Sequence, residues 1–402
     1  MSHLLPSSHR PHGSGRPLKR PGRPAFAAKT LSRRSFLVGL GAAGLAACTT
    51  DAGSASEFDL GGSNRLTMLT WADYIDPTEN GEAGTIDRFS SDFGISVNYI
   101  EEYSDNYDGY DLVLTNAINS SEPSYDIVVP TNWRAAQMIE QGWAEPLPIE
   151  IIPNHANLDP LYMTNAWDRG SRFQMPWQAG ITGIAYDPAL TGRPINSIED
   201  LFDPEFKGRV GVIGEMREAV GLAMLANGDD PSRPTVAAAE AGLARIQDAV
   251  ESGQVGAVTF GDFADQLDQG QLVAAMAWSG DTALLRDSRP DIEFVIPDEG
   301  GIQWFDSMVI PKDAPNIRAA GEFMNYVYDP INAARITAWV GYISPVLGVR
   351  EELLKGGGDL ATLADNPILF PDDATRNRLF TWGGLDQENE TRIDDAFNLM
   401  VP

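Results

Sequence analysis

The chain has 402 residues, of which 43% are hydrophobic and 21% charged, and carries a formal net charge of −28. That length exceeds one ordinary core and points to two domains, while the acidity excludes nucleic acid as a partner and draws small cations instead. The single cysteine, Cys48, excludes an internal disulfide; His155 is the only histidine beyond a leader that holds His3, His9 and His12, so apart from His155 nothing supplies Ser–His or Cys–His catalysis or a His/Cys metal site.

Residues 1–47 contain eight Lys/Arg and no Asp or Glu, which leaves 21 basic and 57 acidic residues in the remainder, a net charge of −36. Ser32-Arg33-Arg34-Ser35-Phe36-Leu37 opens an apolar run of 12 residues, Phe36 to Ala47, shorter than the roughly 20 needed to span a bilayer. A basic region, a short apolar region and small residues make a secretory signal. The arginine pair resembles a twin-arginine export signal. Leu45-Ala46-Ala47-Cys48 resembles a lipobox, which implies lipidation of Cys48 after cleavage. Residues 1–47 are therefore expected to be a signal peptide and 48–64, rich in Ser and Gly, a tether.

Leu66–Trp71 reads as a strand bounded by a turn at Asp76-Pro77. Thr85–Phe93 reads as a helix with Thr85 as N-cap and Gly94 as stop. A strand over 95–101, a helix over 108–119, a short buried strand at Tyr125–Pro130 and a helix over 133–140 follow, the last capped by Thr131. Further strands are expected at 181–186, 209–213, 254–260, 272–278 and 303–310, with helices over 235–251 and 316–328. Alternating strands and helices argue for an α/β fold with a mainly parallel sheet. Two such lobes with a cleft between them are the economical arrangement, and ligands of such sheets bind at the carboxyl ends of strands.

Four stretches put aromatic or acidic residues at those ends. The first is Trp71-Ala72-Asp73-Tyr74, where Trp71 and Asp73 share a side if the strand continues. The second is Thr131-Asn132-Trp133. The third is Glu215-Met216-Arg217-Glu218; on a helix the two glutamates share a face and repel, which a cation between them would relieve, although acids in a first turn also suit the helix dipole. The fourth is Gln303-Trp304-Phe305-Asp306-Ser307-Met308, where Asp306 lies on an otherwise apolar face and needs a cationic partner, either an arginine of the chain or a ligand ammonium. Trp278 and Tyr342 complete the set.

Carboxylates bind ammonium groups with charge-assisted hydrogen bonds, and indole or phenol faces cover methylenes and attract cations. A sugar cleft also has aromatic walls but calls for amides; a hard-metal site calls for acids without tryptophans. The combination favours a linear polyamine, with no metal, no cofactor and no catalytic residue. The alternatives are another exported solute-binding protein, for a sugar or a cationic opine, or a glycoside hydrolase with a carboxylate pair.

These segments resemble the bacterial spermidine/putrescine periplasmic binding proteins through nearly the whole mature chain. Glu299-Gly300-Gly301-Ile302-Gln303-Trp304-Phe305-Asp306-Ser307 looks like that family's E-G-G-x-x-W-x-D-S signature, and Trp71-Ala72-Asp73-Tyr74 its W-x-[DE]-Y. Thr131 and Trp133 follow V-V-P, Glu215 and Glu218 flank Arg217 as in D-x-R-E, Trp278 precedes Ser-Gly, and Tyr342 closes Gly-Tyr. The resemblance implies the two-lobed periplasmic-binding-protein (type II) fold. Lobe 1 would comprise 65–180 plus 306–350 and lobe 2 would comprise 181–305 plus 351–402. It also implies ligand contacts from Trp71, Asp73, Tyr74, Thr131, Trp133, Glu215, Glu218, Trp278, Trp304, Asp306 and Tyr342. An exported, lipid-anchored monomer would then deliver polyamine to an ABC transporter permease. Asp73 is shorter and Glu215 longer than the family's usual acids, Trp133 replaces a tyrosine, and Thr381-Trp382-Gly383 stands where the family has a glutamine.

Overall fold

The computed structural model describes residues 63–79, 81–103 and 125–401. The leader, Cys48, nearly all of the tether and the helix expected over 108–119 lie outside the described residues.

Among the described residues ten strands form one sheet: β1 Arg65–Trp71, β2 Ser96–Tyr103, β3 Ile127–Val128, β4 Gln174–Tyr186, β5 Val210–Ile213, β6 Val255–Thr259, β7 Ala274–Trp278, β8 Glu293–Val295, β9 Gly301–Val309 and β10 Leu379–Phe380. Their order is β2-β1-β3-β9-β4-β7-β5-β6, with β8 beside β4 and β10 beside β9. The sheet is mixed rather than mainly parallel. Pairing is parallel within the outer groups β2-β1-β3 and β7-β5-β6. It is antiparallel wherever β4 or β9 meets β3, β7, β8 or the other of the two.

The two long central strands explain the difference. β4 is 13 residues, all buried, about twice the usual strand length. Only its second half was expected, because Gln174-Met175-Pro176-Trp177-Gln178 lacks a β-branched pattern. Its first half pairs with β9 and its end with β7 and β8, so it links both halves of the molecule.

The buried side chains separate accordingly. One group includes Leu66, Met68, Phe89, Ile127, Met308 and Phe323, joined by Val349, Leu353, Leu360 and Ala364. The other includes Ile184, Val212, Ile213, Leu222, Met276 and Phe397, with Phe380 and Trp382 against it. Trp278 packs against both. The molecule is thus a two-lobed α/β protein whose central strands cross between the lobes.

Two caps differ from expectation. Gly84, not Thr85, is the N-cap of the helix Thr85–Phe93. Thr85 donates its hydroxyl to Asp76 at 2.5 Å. Thr131 is the N-cap residue of the helix Asn132–Glu140 as expected, but its side chain makes no capping hydrogen bond. It turns instead into the site described next. The expected helix over 235–251 forms as Val236–Glu251, with Thr235 accepting from Ala238 N–H at 3.2 Å.

Candidate functional site

β9 carries the centre of the site. Trp304 and Asp306, two residues apart, face the same way. Trp304 lies opposite Gly180 of β4. A Cβ at Gly180 would sit 2.3 Å from the indole Cζ2, so only glycine admits the ring. Asp306 bridges to Thr131, and Ser307 N–H donates to Pro130 C=O at 2.9 Å. This backbone contact brings the Thr131 hydroxyl to Asp306 Oδ1 at 2.7 Å. Tyr74 Oη donates to Asp306 Oδ2 at 2.5 Å.

Tyr342 follows Gly341, which ends the helix Pro330–Val340 in a left-handed conformation, φ 77°. Ile343 then exchanges two backbone hydrogen bonds with Ala179 of β4, both 2.9 Å, and fixes Tyr342 beside the crossing strands. Gly280 is tight against it: a Cβ there would lie 2.5 Å from the phenol ring. The aromatic rings form a row. Centroids are 5.7 Å apart for Tyr74–Tyr342, 5.4 Å for Tyr342–Trp304 and 6.4 Å for Trp304–Trp278.

Glu218 stands at the far end, in the first turn of the helix Met216–Ala226. That helix forms because Ala, Leu and Met dominate it, and Gly228, φ 83°, follows its end. Glu218 Oε2 accepts from Trp278 Nε1 at 2.7 Å and from the Thr182 hydroxyl. Thr182 in turn accepts from Trp304 Nε1 at 3.1 Å. Thr182 and Trp278 are register partners across β4 and β7, which is why both reach one carboxylate.

Both acids are buried, Glu218 at 8% and Asp306 at 2% relative exposure. Burial pushes Glu218 up to about 8, helped by repulsion from Glu215 and Asp306 and opposed by the Thr182 and Trp278 hydrogen bonds. Burial likewise pushes Asp306 up to about 7 against the pull of its Tyr74 and Thr131 donors. The Tyr74 and Tyr342 phenols are held well above their ordinary value, first by burial and next by Asp306 and Asp281 respectively. Among the described residues no arginine or lysine forms an ion pair with Glu218 or Asp306. A buried carboxylate without a cation is costly, and the raised values of both acids express that cost.

The structure brings Tyr74, Thr131, Glu218, Trp278, Trp304, Asp306 and Tyr342 into this one network. Glu215 is the buried N-cap of the Glu218 helix, and Trp71 is half-buried at the end of β1. Asp73 does not continue the strand. It is exposed and left-handed, φ 58°, and its N–H donates to Glu101 at 2.8 Å. The alternation expected for Trp71 and Asp73 therefore fails at Ala72. Trp133 lies under Arg217, whose Cζ is 3.4 Å from the ring centroid. Glu299, in the signature stretch, accepts from Ser197 and Ile198 instead of facing the cleft.

Two members were not anticipated. Thr182 depends on antiparallel pairing that no local pattern reveals. Asp281 accepts from Tyr342 Oη at 2.5 Å; its signal was its position in Ser279-Gly280-Asp281, directly after Trp278 at a strand end. Among the described residues no group of three or more His, Cys, Asp or Glu is arranged to hold a metal. No helix of the described residues is long and apolar enough to cross a membrane.

Two lobes joined by crossing strands, with buried acids and aromatic rings gathered at the crossing, are the architecture of a solute-binding protein. The chain belongs to the family of bacterial extracellular solute-binding proteins, whose model matches residues 84–371. It is similar to the spermidine/putrescine-binding periplasmic protein of Escherichia coli, 26% identical over 314 residues, which cover 78% of this chain and 85% of that one. It is also similar to the putrescine-binding periplasmic protein PotF of the same organism, 26% identical over 335 residues, 79% of this chain and 85% of the relative. A solved structure from Listeria monocytogenes superposes with a TM-score of 0.72 at 28% identity, covering 84% of this chain and 99% of that one.

Proposed function

We propose that this protein captures a linear polyamine, putrescine or spermidine, between its lobes and hands it to the permease of an ABC transporter. The observation that carries this reading is the placement of Glu218 and Asp306, buried and, among the described residues, without a basic partner, at opposite ends of an aromatic row. An ammonium at each end would ionise the acids and take charge-assisted hydrogen bonds, while the methylenes lie along Tyr342 and Trp304. Asp281, beyond the expected set, adds a third acid beside Tyr342. The names of the relatives support the same ligand class.

The protein works by binding and lobe closure rather than by turnover. A ligand that touches both lobes favours the closed form by those differential contacts. Export through the leader and anchoring at Cys48 complete the reading, with the folded part acting as a monomer outside the cytoplasm.

A thermal-shift panel tests the ligand class. Putrescine, spermidine and spermine raise the melting temperature of the mature protein with concentration, and glucose, maltose and octopine leave it unchanged. A rise with a sugar or the opine alone contradicts the assignment.

A further inference from the structure

Arg217 lies between Glu215 and Glu218 in sequence and is anchored by two acids of another helix. Its residue exposure is 4%. Its Nε lies 2.8 Å from Glu390 Oε1, and its Nη2 is 3.4 Å from Asp394 Oδ2. Both acids belong to the helix Gln387–Asn398 near the C-terminus. Glu390 is itself fixed by Trp382 Nε1 at 3.0 Å and Leu385 N–H at 2.9 Å. The guanidinium is therefore anchored to its own lobe through its edge, which leaves one face for a stack.

That face meets Trp133, at 3.4 Å from Cζ to the ring centroid. Trp133 belongs to the other lobe: its helix packs through Ala135 and Met138 on Leu69 and Val309. The contact thus joins the two lobes directly. On one side it is one residue from Glu218; on the other it is two residues from Thr131, which donates to Asp306. A planar cation shielded from water on an indole face is a favourable contact.

We propose that the Arg217–Trp133 stack is a closure latch, with Glu390 and Asp394 as its seat and Trp133 as its strike plate. This rests on the reading of the protein as a two-lobed binder that closes. The stack sets how long the closed form lasts, and so the rate of ligand release. Trp133 acts by holding the lobes together and not as a wall against the ligand.

The test is a double-mutant cycle with Trp133→Leu, Arg217→Lys and the pair, using putrescine and spermidine as probes. Affinity and release rate are read by stopped-flow tryptophan fluorescence, and the radius of gyration without ligand by X-ray scattering. The latch predicts that Trp133→Leu weakens binding about tenfold, almost wholly through faster release, and enlarges the ligand-free particle. The double variant is then no worse than either single one. Trp133→Leu leaves the Glu390–Arg217–Asp394 group intact, so its melting temperature without ligand stays near wild type and keeps the test clear of misfolding. Additive losses with an unchanged radius of gyration would make Trp133 a ligand wall and overturn the latch. So would release rates that do not change. If the unaltered protein binds no polyamine, the ligand assignment fails, and the radius of gyration alone still decides the latch.

Discussion

Glu218 and Asp306 are held by donors of matching kind, an indole or phenol and a threonine hydroxyl each, and among the described residues neither is neutralised by a basic side chain. Hydrogen bonds orient these carboxylates, and on the proposed reading an outside cation supplies the charge that balances them. That relationship separates a binding site from a structural ion pair such as Arg217 with Glu390.

Asp306→Asn keeps the shape and removes the charge. Breaking a buried ion pair costs about 3–5 kcal/mol, so spermidine affinity measured by calorimetry falls by at least two orders of magnitude. Glu218→Gln gives a loss of the same direction. Both variants, without ligand at pH 8, melt no lower than wild type, because each replaces a desolvated carboxylate with a neutral amide.

The pH dependence follows from the direction of the shifts. Glu218 at about 8 and Asp306 at about 7 both lie above the ordinary carboxyl range. The folded ligand-free protein therefore keeps protons that the unfolded chain has released. Their contribution to stability is complete below about pH 4 and is lost as the pH rises through 7 and 8. A cationic ligand reverses this by favouring the ionised acids. Polyamine affinity accordingly rises from pH 5.5 to 8, and calorimetry in buffers of different ionisation enthalpy shows release of about one to two protons near pH 6.5. Affinity independent of pH across that range contradicts the charge account.

Tyr74→Phe removes one donor from Asp306. The lost bond to a charged group costs about 1.5–3 kcal/mol. The Tyr74 hydrogen bond lowers the Asp306 value, so the acidic limb of the binding–pH curve moves to higher pH in the variant. A weaker affinity with an unshifted limb would assign Tyr74 to wall packing only.

Gly180→Ala drives a methyl into Trp304, where a Cβ would lie 2.3 Å from Cζ2. Overpacking of this kind costs about 1–3 kcal/mol. The melting temperature falls, and the Trp304 ring moves out of the aromatic row, so affinity drops as well. Unaltered fluorescence and affinity in this variant would show that the indole has another place to go.

Much of this site was legible in the sequence because Tyr74, Thr131, Glu218 and Trp278 lie at or just beyond strand ends, next to short motifs. Trp304 and Asp306 share a face simply because they are two apart in a strand, and Trp278 ends an apolar run. Tyr74 and Tyr342 were marked by the motifs around them. What remained hidden depended on pairing between distant segments. The first half of β4 contains Pro176 and Gln178 and gives no strand pattern, yet it is the strand that crosses the lobes. Thr182 became part of the site only through its register with Trp278. Asp73 was expected to point with Trp71, but its left-handed backbone ended the alternation. Arg217 was seen as a residue pointing away from its glutamates; that it spans to Trp133 follows only from the approach of the two lobes.

The central claim is that two unneutralised buried acids recruit the ends of a polyamine. Isothermal titration of the mature protein with putrescine and spermidine at pH 8, beside the Glu218→Gln/Asp306→Asn double variant, tests it most directly. Saturable one-to-one binding that vanishes in the double variant is the predicted result. Undiminished binding in the double variant, or no heat with either amine in the unaltered protein, contradicts it.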